Sequence, residues 1–549
     1  MNGADLVRYY EALKSLRQPL EEHKRQCYQY SFPLRGVMFG GALDQSPESV
    51  QQQAAAIQAT LTDATATDAC RILASTLVSG LTPANSRWFA FGAGADATSE
   101  VKDWLDKMAG RVHEGIHSSN YDAPGFEAML DIVISGEAVL YVEEGDETDF
   151  LFDCWPLTSC WFATTRRGGL IDTAVRHFTL TAQQAVREYG NKVSEKIREA
   201  LSSDPYQRFP FIHFILPKQF DAGTKPKKRD KLQPFSSYHV CLTSKAIMRD
   251  KGYAEFPLAV PRWLKLPDSV YAQGPMSDVL PDVKTLNQIE HLVLSNADWQ
   301  MSGMWGAVND GTLNPKTVKI GPRKILFMES KENFFPLNPP GRVEVGSIEA
   351  EKKRSSIRRI LMADQLEPLN SEGPARTATE WHYRVNLIRQ LLGPMFGRLQ
   401  AEFLQPLVFR CLGILMRKDL AAGKTPPAPL KDKPLRLQYI SPLARAQQLE
   451  EVAAMDRFEG GLVALADARP ELLDLYDWDN AERKRGEYLG VPQTLLLDEK
   501  KVKDLRKLRE DKQAAALSQQ GQGAGGAMPM PAGMSPGAGG GMPMGGGRQ

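Results

Sequence analysis

The sequence predicts a helix-rich α+β protein, and three observations carry that reading. Between Thr377 and Asp419 the apolar residues Trp381, Val385, Ile388, Leu392, Phe396, Leu399, Phe403 and Leu407 recur at spacings of three and four, as one buried helix face does. The first half of the chain mixes helical patterns with strand-like runs such as AVLYVE at 138–143. A Gly- and Pro-broken, strand-like piece, 305–345, is set between two further helical patterns.

The 377–419 stretch reads as one very long helix. Thr377 and Glu380 form an S/T-x-x-E capping box at its start. Pro394 and Pro406 each delete an interior hydrogen bond, a cost of roughly 3 kcal/mol in an unsupported helix, so packing must hold it together. Globular helices average about 11 to 12 residues, and a helix this long suggests a spine within a larger assembly.

Taken in order, 4–30 is an amphipathic helix built on Leu6, Tyr9, Tyr10, Leu13, Leu16 and Leu20 and interrupted near Pro19. The polar 36–53 stretch reads as a loop. A helix over 64–80 presents Ala69, Ile72, Leu73, Thr76 and Leu77 on one face and stops at Gly80 and Pro83. Residues 87–91 read as a strand, 101–118 and 126–135 as helices, and 138–143 as a strand. Between Cys154 and His177, β-rich arms surround Arg166-Arg167-Gly168-Gly169, a hairpin signal. Thr181 and Gln184 form a second capping box, opening a short helix that Gly190 closes. Strand-like runs follow at 211–215 and 238–242.

A helix is expected over 278–301, with Leu286, Ile289, Leu292 and Val293 at core spacing, and another over 348–362, dense in Lys352, Lys353, Arg354, Arg358 and Arg359. Residues 364–376 read as an irregular loop, because Pro368, Gly373 and Pro374 punctuate them. After a Pro/Lys-rich connector, helical patterns cover 442–466, 481–488 and 498–516. The Gly/Met/Pro-rich tail from about 517 is expected to be disordered, since it has little to bury against the entropy of ordering.

The 549 residues allow about three to four domains. Sixty-seven basic and 66 acidic residues leave a net charge of +1. That balance argues against a sequence-nonspecific nucleic-acid coat protein, whose binding needs a strongly basic face. Cys27, Cys70, Cys154, Cys160, Cys241 and Cys411 lack C-x-x-C spacing, so neither a disulfide framework nor a zinc ribbon is indicated, and a reducing, cytoplasmic setting is expected. The N-terminus has no apolar h-region, and no run of about 18 uncharged apolar residues suggests a membrane span; a soluble chain is expected.

Three motifs suggest chemistry. His113-Glu114-Gly115-Ile116-His117 is a literal H-E-x-x-H, which on a helix puts two imidazoles on one face to bind zinc with the glutamate as general base. A third ligand is needed, and Glu137, the candidate, precedes a strand. The simpler reading places Val112 and Ile116 on an apolar face with Trp104, Leu105 and Met108, the histidines beside it. Gly92-Ala93-Gly94-Ala95-Asp96-Ala97 mimics a dinucleotide loop without the βαβ setting, and Gly423-Lys424-Thr425 lacks the first glycine of a P-loop. No cofactor is implied.

The order of these pieces resembles the portal, or head-to-tail connector, proteins of short-tailed bacteriophages. The residues that carry the resemblance are RQPLEEHKRQCYQYSFP (17–33), TDACRILASTLVSGLTPANSRWF (67–89), FEAMLDIVISGEAVLYVEEG (126–145), YAQGPMSDVLPDVKTLNQIE (271–290), TATEWHYR (377–384), LGPMFGRLQAEFLQPL (392–407), YISPLARAQ (439–447) and LGVPQTLL (489–496). They span most of the chain outside the tail. The resemblance implies a ring, a dodecamer in most such proteins, at one capsid vertex, with a channel through which double-stranded DNA is packaged and ejected. It implies a wing (1–270), a first stem helix (271–303), a clip (304–345), a second stem helix (346–363), a channel loop (364–376), a spine helix of the wing (377–419) and a helical crown (420–516).

The partners it implies are further copies of the chain, channel DNA, the terminase large subunit, a tail adaptor, and the major capsid and scaffolding proteins, in the virion and with no membrane. On this reading the channel candidates are Lys352, Arg354, Arg358, Arg359, Glu367, Asn370, Glu372 and Arg376, a mixed-sign lining that also includes Asp364. Lys316, Lys319, Arg323 and Lys324 are the clip contacts. From charge alone, the 352–359 cluster reads rather as the solvated side of a helix with Ile348, Ile357, Ile360 and Leu361 inward. The competing functions are a zinc metallopeptidase and a non-portal capsid scaffold.

Overall fold

The computed structural model describes residues 2–37, 39, 46–92, 99–166, 168–218, 232–302, 304–307, 334–337, 343–366, 393, 395–423, 427, 436–439 and 442–466, with parts of 469–491 and 497–522. The chain divides into two compact units, Met1–Val491 and Pro492–Gln549. In the second unit the described element is the helix Glu499–Gln522, which runs past the predicted end at 516.

The first helix, α1 (Gly3–Gln29), runs without a break through Pro19. The interruption expected there is absent because α1 is clamped on both sides of the proline. Before it, the Arg17 guanidinium donates to the carbonyls of Leu157 (2.6 Å), Thr158 (2.9 Å) and Cys160, and lies 4.3 Å from the Trp161 ring centre. After it, Lys24 donates to Glu137 (2.7 Å) and to the Ser135 carbonyl (2.9 Å). Both cations are almost fully buried. The predicted 36–53 loop instead holds the end of α2 (Pro33–Gly36) and most of α3 (Pro47–Gln58), which Ser46 caps by accepting from the Ser49 N–H.

The core gathers α4 (Thr65–Leu81), α5 (Ser99–Ser118) and α6 (Asp122–Ser135), whose apolar faces include Leu73, Leu77, Leu105, Val112, Ile116, Ile132 and Val133. Strand β1 (Phe89–Gly92) is completed by a distant segment, Arg436–Tyr439. β2 (Leu140–Glu144) pairs with β3 (Phe150–Cys154) on one side and Leu258–Ala259 on the other. Gly136, at φ 90°, ends α6 in the left-handed region. A Cβ there would sit 2.3 Å from the Gln273 carbonyl carbon, so α6 and the segment entering the next long helix meet backbone to backbone.

A five-stranded antiparallel sheet follows: β4 (Cys160–Ala163), β5 (Thr173–Thr181), β6 (Arg208–Pro217), β7 (Phe235–Cys241) and β8 (Ile247–Tyr253), neighbours in that order. The predicted hairpin is the β4–β5 connection. Thr181 and Gln184 make the reciprocal capping box at the start of α7 (Ala182–Tyr189), and Gly190 stops it at φ 59°. α8 (Glu195–Ser203) packs beside α7 on the sheet.

Beyond the sheet the chain is helical. α9 (Pro275–Ser302) and α10 (Val343–Ile360) are separated by a two-stranded piece, Met304–Ala307 with Phe334–Leu337. Met362 takes a positive φ of 59°, ending α10, and Ala363–Leu366 form a fresh helical turn, so the first residues of the predicted 364–376 loop are helical. The start of the spine, Thr377 to Leu392 with its capping box, and Pro394 lie outside the described residues. From Met395 to Ala421 the spine is one helix, α11, with a π-turn at Gln400–Leu404. That turn resolves the Pro406 problem: the Gln405 N–H reaches back to the Gln400 carbonyl, and Pro406 falls in the first turn of the helix that resumes, where its missing donor costs little.

By length and composition α11 is long and apolar enough to cross a membrane. Its Phe396, Leu399, Phe403, Leu407, Cys411 and Leu415 are instead buried in the core. α12 (Pro442–Ala466) and α13 (Trp478–Leu489) are tied by Arg485, which pairs with Asp456 (2.7 Å) and Glu459.

Candidate functional site

The α9–α10 pair is the candidate site. α9 buries Met276, Val279, Leu280, Val283 and Leu286 at helical spacing, then leaves the core. Leu292, predicted to be core, is 61 % exposed, and Leu294 and Met301 are exposed with it. The reason is positional: past Asn287 the periodic face continues, while the core residues that cover it further back do not follow it among the described residues. α10 repeats the pattern, with Ala350, Ile357 and Leu361 buried and Val345 and Ile348 exposed; Ile348 was expected to point inward.

Ion pairs brace the two helices. Lys353 Nζ lies 2.7 Å from Asp282, which also accepts from Ser356 Oγ at 2.9 Å. The Lys353 hydrogen bond holds the Asp282 carboxyl below the usual range, against a smaller opposing effect of burial. Arg354 reaches Glu290 (2.6 Å), Asp63 (2.9 Å) and Glu351 (3.3 Å). Burial would raise Asp63, but hydrogen bonds from Thr65 and Arg354 outweigh it and hold the carboxyl low. Asn287 Oδ1 accepts the Thr62 N–H at 3.0 Å, so the loop before α4 is fastened to α9 at the point where that helix leaves the core. A Cβ on Gly346 would lie 2.5 Å from Val293 Cγ2, which marks how closely the helices approach.

The predicted channel residues therefore divide. Arg354 is a brace between helices. Arg358 is half-buried and engaged. Lys352, exposed and paired along its own helix with Glu349 (2.6 Å), and Arg359, exposed, are presented outward, as is Asp364. Glu367, Asn370, Glu372 and Arg376, and the clip candidates Lys316, Lys319, Arg323 and Lys324, lie outside the described residues. Replacing Arg354 with glutamine should cost about 2 kcal/mol of stability, since it strands the nearly buried Asp63 carboxylate, while Lys352→Gln should be nearly neutral. Chemical denaturation of the two variants checks this.

The H-E-x-x-H residues do not form a metal centre. His113 and His117 lie on α5 with ring centres 4.8 Å apart. His117 Nε2 accepts from the Trp88 indole at 3.4 Å, and its Nδ1 lies 3.1 Å from Asp122. Burial, with His117 nearby, pushes the His113 imidazole below its ordinary value. Glu137, the third-ligand candidate, is consumed: it pairs with Lys24 and accepts the Ala272 N–H at 2.7 Å. No group of three His, Cys, Asp or Glu arranged to hold a metal occurs among the described residues. Ala93 to Ala97 and Lys424-Thr425 of the two phosphate-loop mimics lie outside them. All six cysteines are buried free thiols.

Comparison with known proteins agrees with the resemblance read from the motifs. A family model described as bacteriophage head to tail connecting protein matches residues 4–497. The portal protein of Salmonella phage epsilon15 is 28 % identical over 490 residues, covering 84 % of this chain and 85 % of the relative. The probable portal protein of Bordetella phage BPP-1 is 25 % identical over 541 residues, 93 % and 92 % of the two chains. Neither likeness supports a peptidase. The chain belongs to the bacteriophage head-to-tail connecting protein family and is a portal, the structural connector between head and tail.

Proposed function

We propose that copies of this chain close into a ring, a dodecamer, at one vertex of the capsid, and that double-stranded DNA passes along its axis during packaging and ejection. In this reading α9 and α10 are the stem, 304–345 the clip that meets the terminase large subunit and a tail adaptor, and 364–376 the channel loop. Residues 377–419 are the spine of the wing, and 420–516 form the crown; the major capsid and scaffolding proteins surround the ring. The observation that carries it is the α9–α10 pair itself. Its inner side is cross-braced by Lys353–Asp282 and Arg354–Glu290, yet Leu292, Leu294, Met301, Val345 and Ile348 stay exposed in the single chain. Apolar side chains gathered on adjoining helices call for a neighbour, and a second copy supplies one.

Near-neutral charge suits a conduit, because a uniformly basic wall would hold DNA through many phosphate contacts. Lys352 and Arg359, whose side chains are exposed, are the two basic residues of α10 best placed to touch DNA. Replacing both with glutamine should leave ring formation intact and change the amount of DNA packaged or retained, measured as DNA per capsid. Unchanged packaging and retention would remove both residues from the channel.

A further inference from the structure

Where α9 leaves the core, side chains enter its hydrogen-bond ladder. The Thr62 hydroxyl, from the segment before α4, lies 3.0 Å from the Asn287 carbonyl oxygen and 3.2 Å from its Oδ1. In the regular ladder that carbonyl also accepts the His291 N–H. One turn back, Asn287 Nδ2 donates to the Val283 carbonyl at 3.0 Å; one turn on, Ser295 Oγ donates to the His291 carbonyl at 2.7 Å. Val283, Asn287 and His291 stand four apart, so these shared carbonyls form one stripe along the helix. A carbonyl has two lone pairs and accepts both bonds by tilting out of the ladder, which favours a bend at that turn.

The same turn is pinned from the body. Asn287 is buried, and its Oδ1 accepts the Thr62 and Asp63 N–H groups at 3.0 and 3.3 Å. With donors on Oδ1 and a carbonyl on Nδ2, the amide can face only one way. Asp63 accepts the Thr65 N–H at the start of α4 (2.8 Å) and Arg354 Nε (2.9 Å). Arg354 in turn reaches Glu290, one residue row further out on α9. The fully buried apolar residues of α9 end at Leu286 and those of α10 begin at Ala350, so the outer halves of both helices meet the body at this polar cluster. Further out, Val293 and Gly346 bring the two helices into close contact with each other.

We propose that Thr62 and Asn287 form a joint in α9, about which the outer halves of α9 and α10 move together against the body. The Thr62 hydroxyl and the Asn287 amide set their angle, because hydrogen bonds are directional where apolar contact is not. Both are positioning residues, acting through the helices they hold. As a device of the connector the joint rests on α9 and α10 being the stem, where it lets the channel wall yield to passing DNA.

Hydrogen–deuterium exchange of the full chain tests the joint, and electron microscopy of assembled rings tests its effect. Thr62→Val keeps the side-chain shape and removes the hydroxyl; it should speed exchange over 288–302 about five-fold, the loss of one hydrogen bond. Asn287→Leu strands two N–H groups and should speed it about ten-fold. Thr62→Ser keeps the hydroxyl and should match the unaltered chain, and α1, α5 and α6 should keep their protection in all three. In rings, the outer halves should take a spread of angles to α4 in Thr62→Val and one angle in Thr62→Ser, a contrast that lost stability alone does not produce. If Asn287→Leu fails to fold, the two Thr62 variants decide. Unchanged exchange over 288–302 in Thr62→Val, a rise shared equally by α1, α5 and α6, or one fixed angle in its rings would overturn the joint. Rings with α9 and α10 at the periphery would instead overturn the stem reading, while exchange still judges the joint in the single chain.

Discussion

Glu402→Ala should destabilise the first unit by about 3–5 kcal/mol, because it strands a buried guanidinium. Arg262 is 3 % exposed and holds Glu402 through two hydrogen bonds, at 2.9 and 2.7 Å, joining the wall of the three-stranded sheet to the π-turn of α11. The Arg262 side chain has little else to turn to: its contacts with the Val270 and Gly169 carbonyls are long, at 3.5 and 3.4 Å. The double replacement Arg262→Met with Glu402→Leu should recover most of the loss, since an apolar pair of similar volume avoids the desolvation of both ions. Denaturation midpoints of the three variants separate the cases. Equal loss in the single and the double variant would mean that the pair supports the π-turn by shape rather than by charge.

Acid should weaken the five-stranded sheet through His213 and His239. Burial makes their folded forms resist protonation, whereas in the unfolded chain each titrates near 6.5, so the unfolded state binds more protons as pH falls. Stability from these groups is complete above about pH 6.5 and is lost as pH drops through the window down to about 3 for His239. For His239 the slope is about 1.4 kcal/mol per pH unit, or roughly 2 kcal/mol at pH 5, and His213 adds a loss of the same sign. Arg176, Arg249 and Lys251 line the same cavity as the pair and reinforce the sign; of the two carboxylates there, Glu188 is held by Arg249 and Glu143 opposes it, and the Tyr189 and Ser237 hydroxyls are neutral. Unfolding curves at pH 7 and pH 5 should show this loss in the unaltered chain and a flatter response in His213→Gln and His239→Gln. An identical acid response in the variants would assign the effect to carboxylates elsewhere.

Much of the fold was legible because it rests on local rules. The capping box at Thr181, the stop at Gly190, the β4–β5 hairpin and the apolar faces of α4 and α5 follow from spacing and turn chemistry alone. The signals that were missed are of two kinds. α3 is rich in Gln and Ala and has no apolar stripe, so only its start, Ser46 followed by Pro47, marks it. Buried charges leave no periodic trace: Arg17, Lys24 and Arg262 look like surface residues until carbonyls and carboxylates from distant segments surround them. They also explain why Pro19 and Pro406 do not break their helices, since tertiary clamps and a π-turn outweigh a local propensity.

The candidate site was legible in outline and not in detail. A basic cluster on a helix after a β-rich insert is visible in sequence, but which of its members face a partner helix is decided by Asp63, Asp282 and Glu290, two of them on α9 and one before α4. The basic row of the five-stranded sheet, Arg176, His213, His239 and Arg249, was hidden for the same reason. Its members come from four strands, and only the pairing register brings them together.

The central claim is that this portal chain closes into a ring whose stem is built from α9 and α10. Electron microscopy of the purified, assembled chain tests it most directly. The account predicts rings with an axial hole, with α9 and α10 of neighbouring copies packed through Leu292, Met301 and Ile348 and with Lys352 and Arg359 toward the hole. Particles without an axial hole, or a hole lined by α11 with α9 and α10 at the periphery, would contradict it.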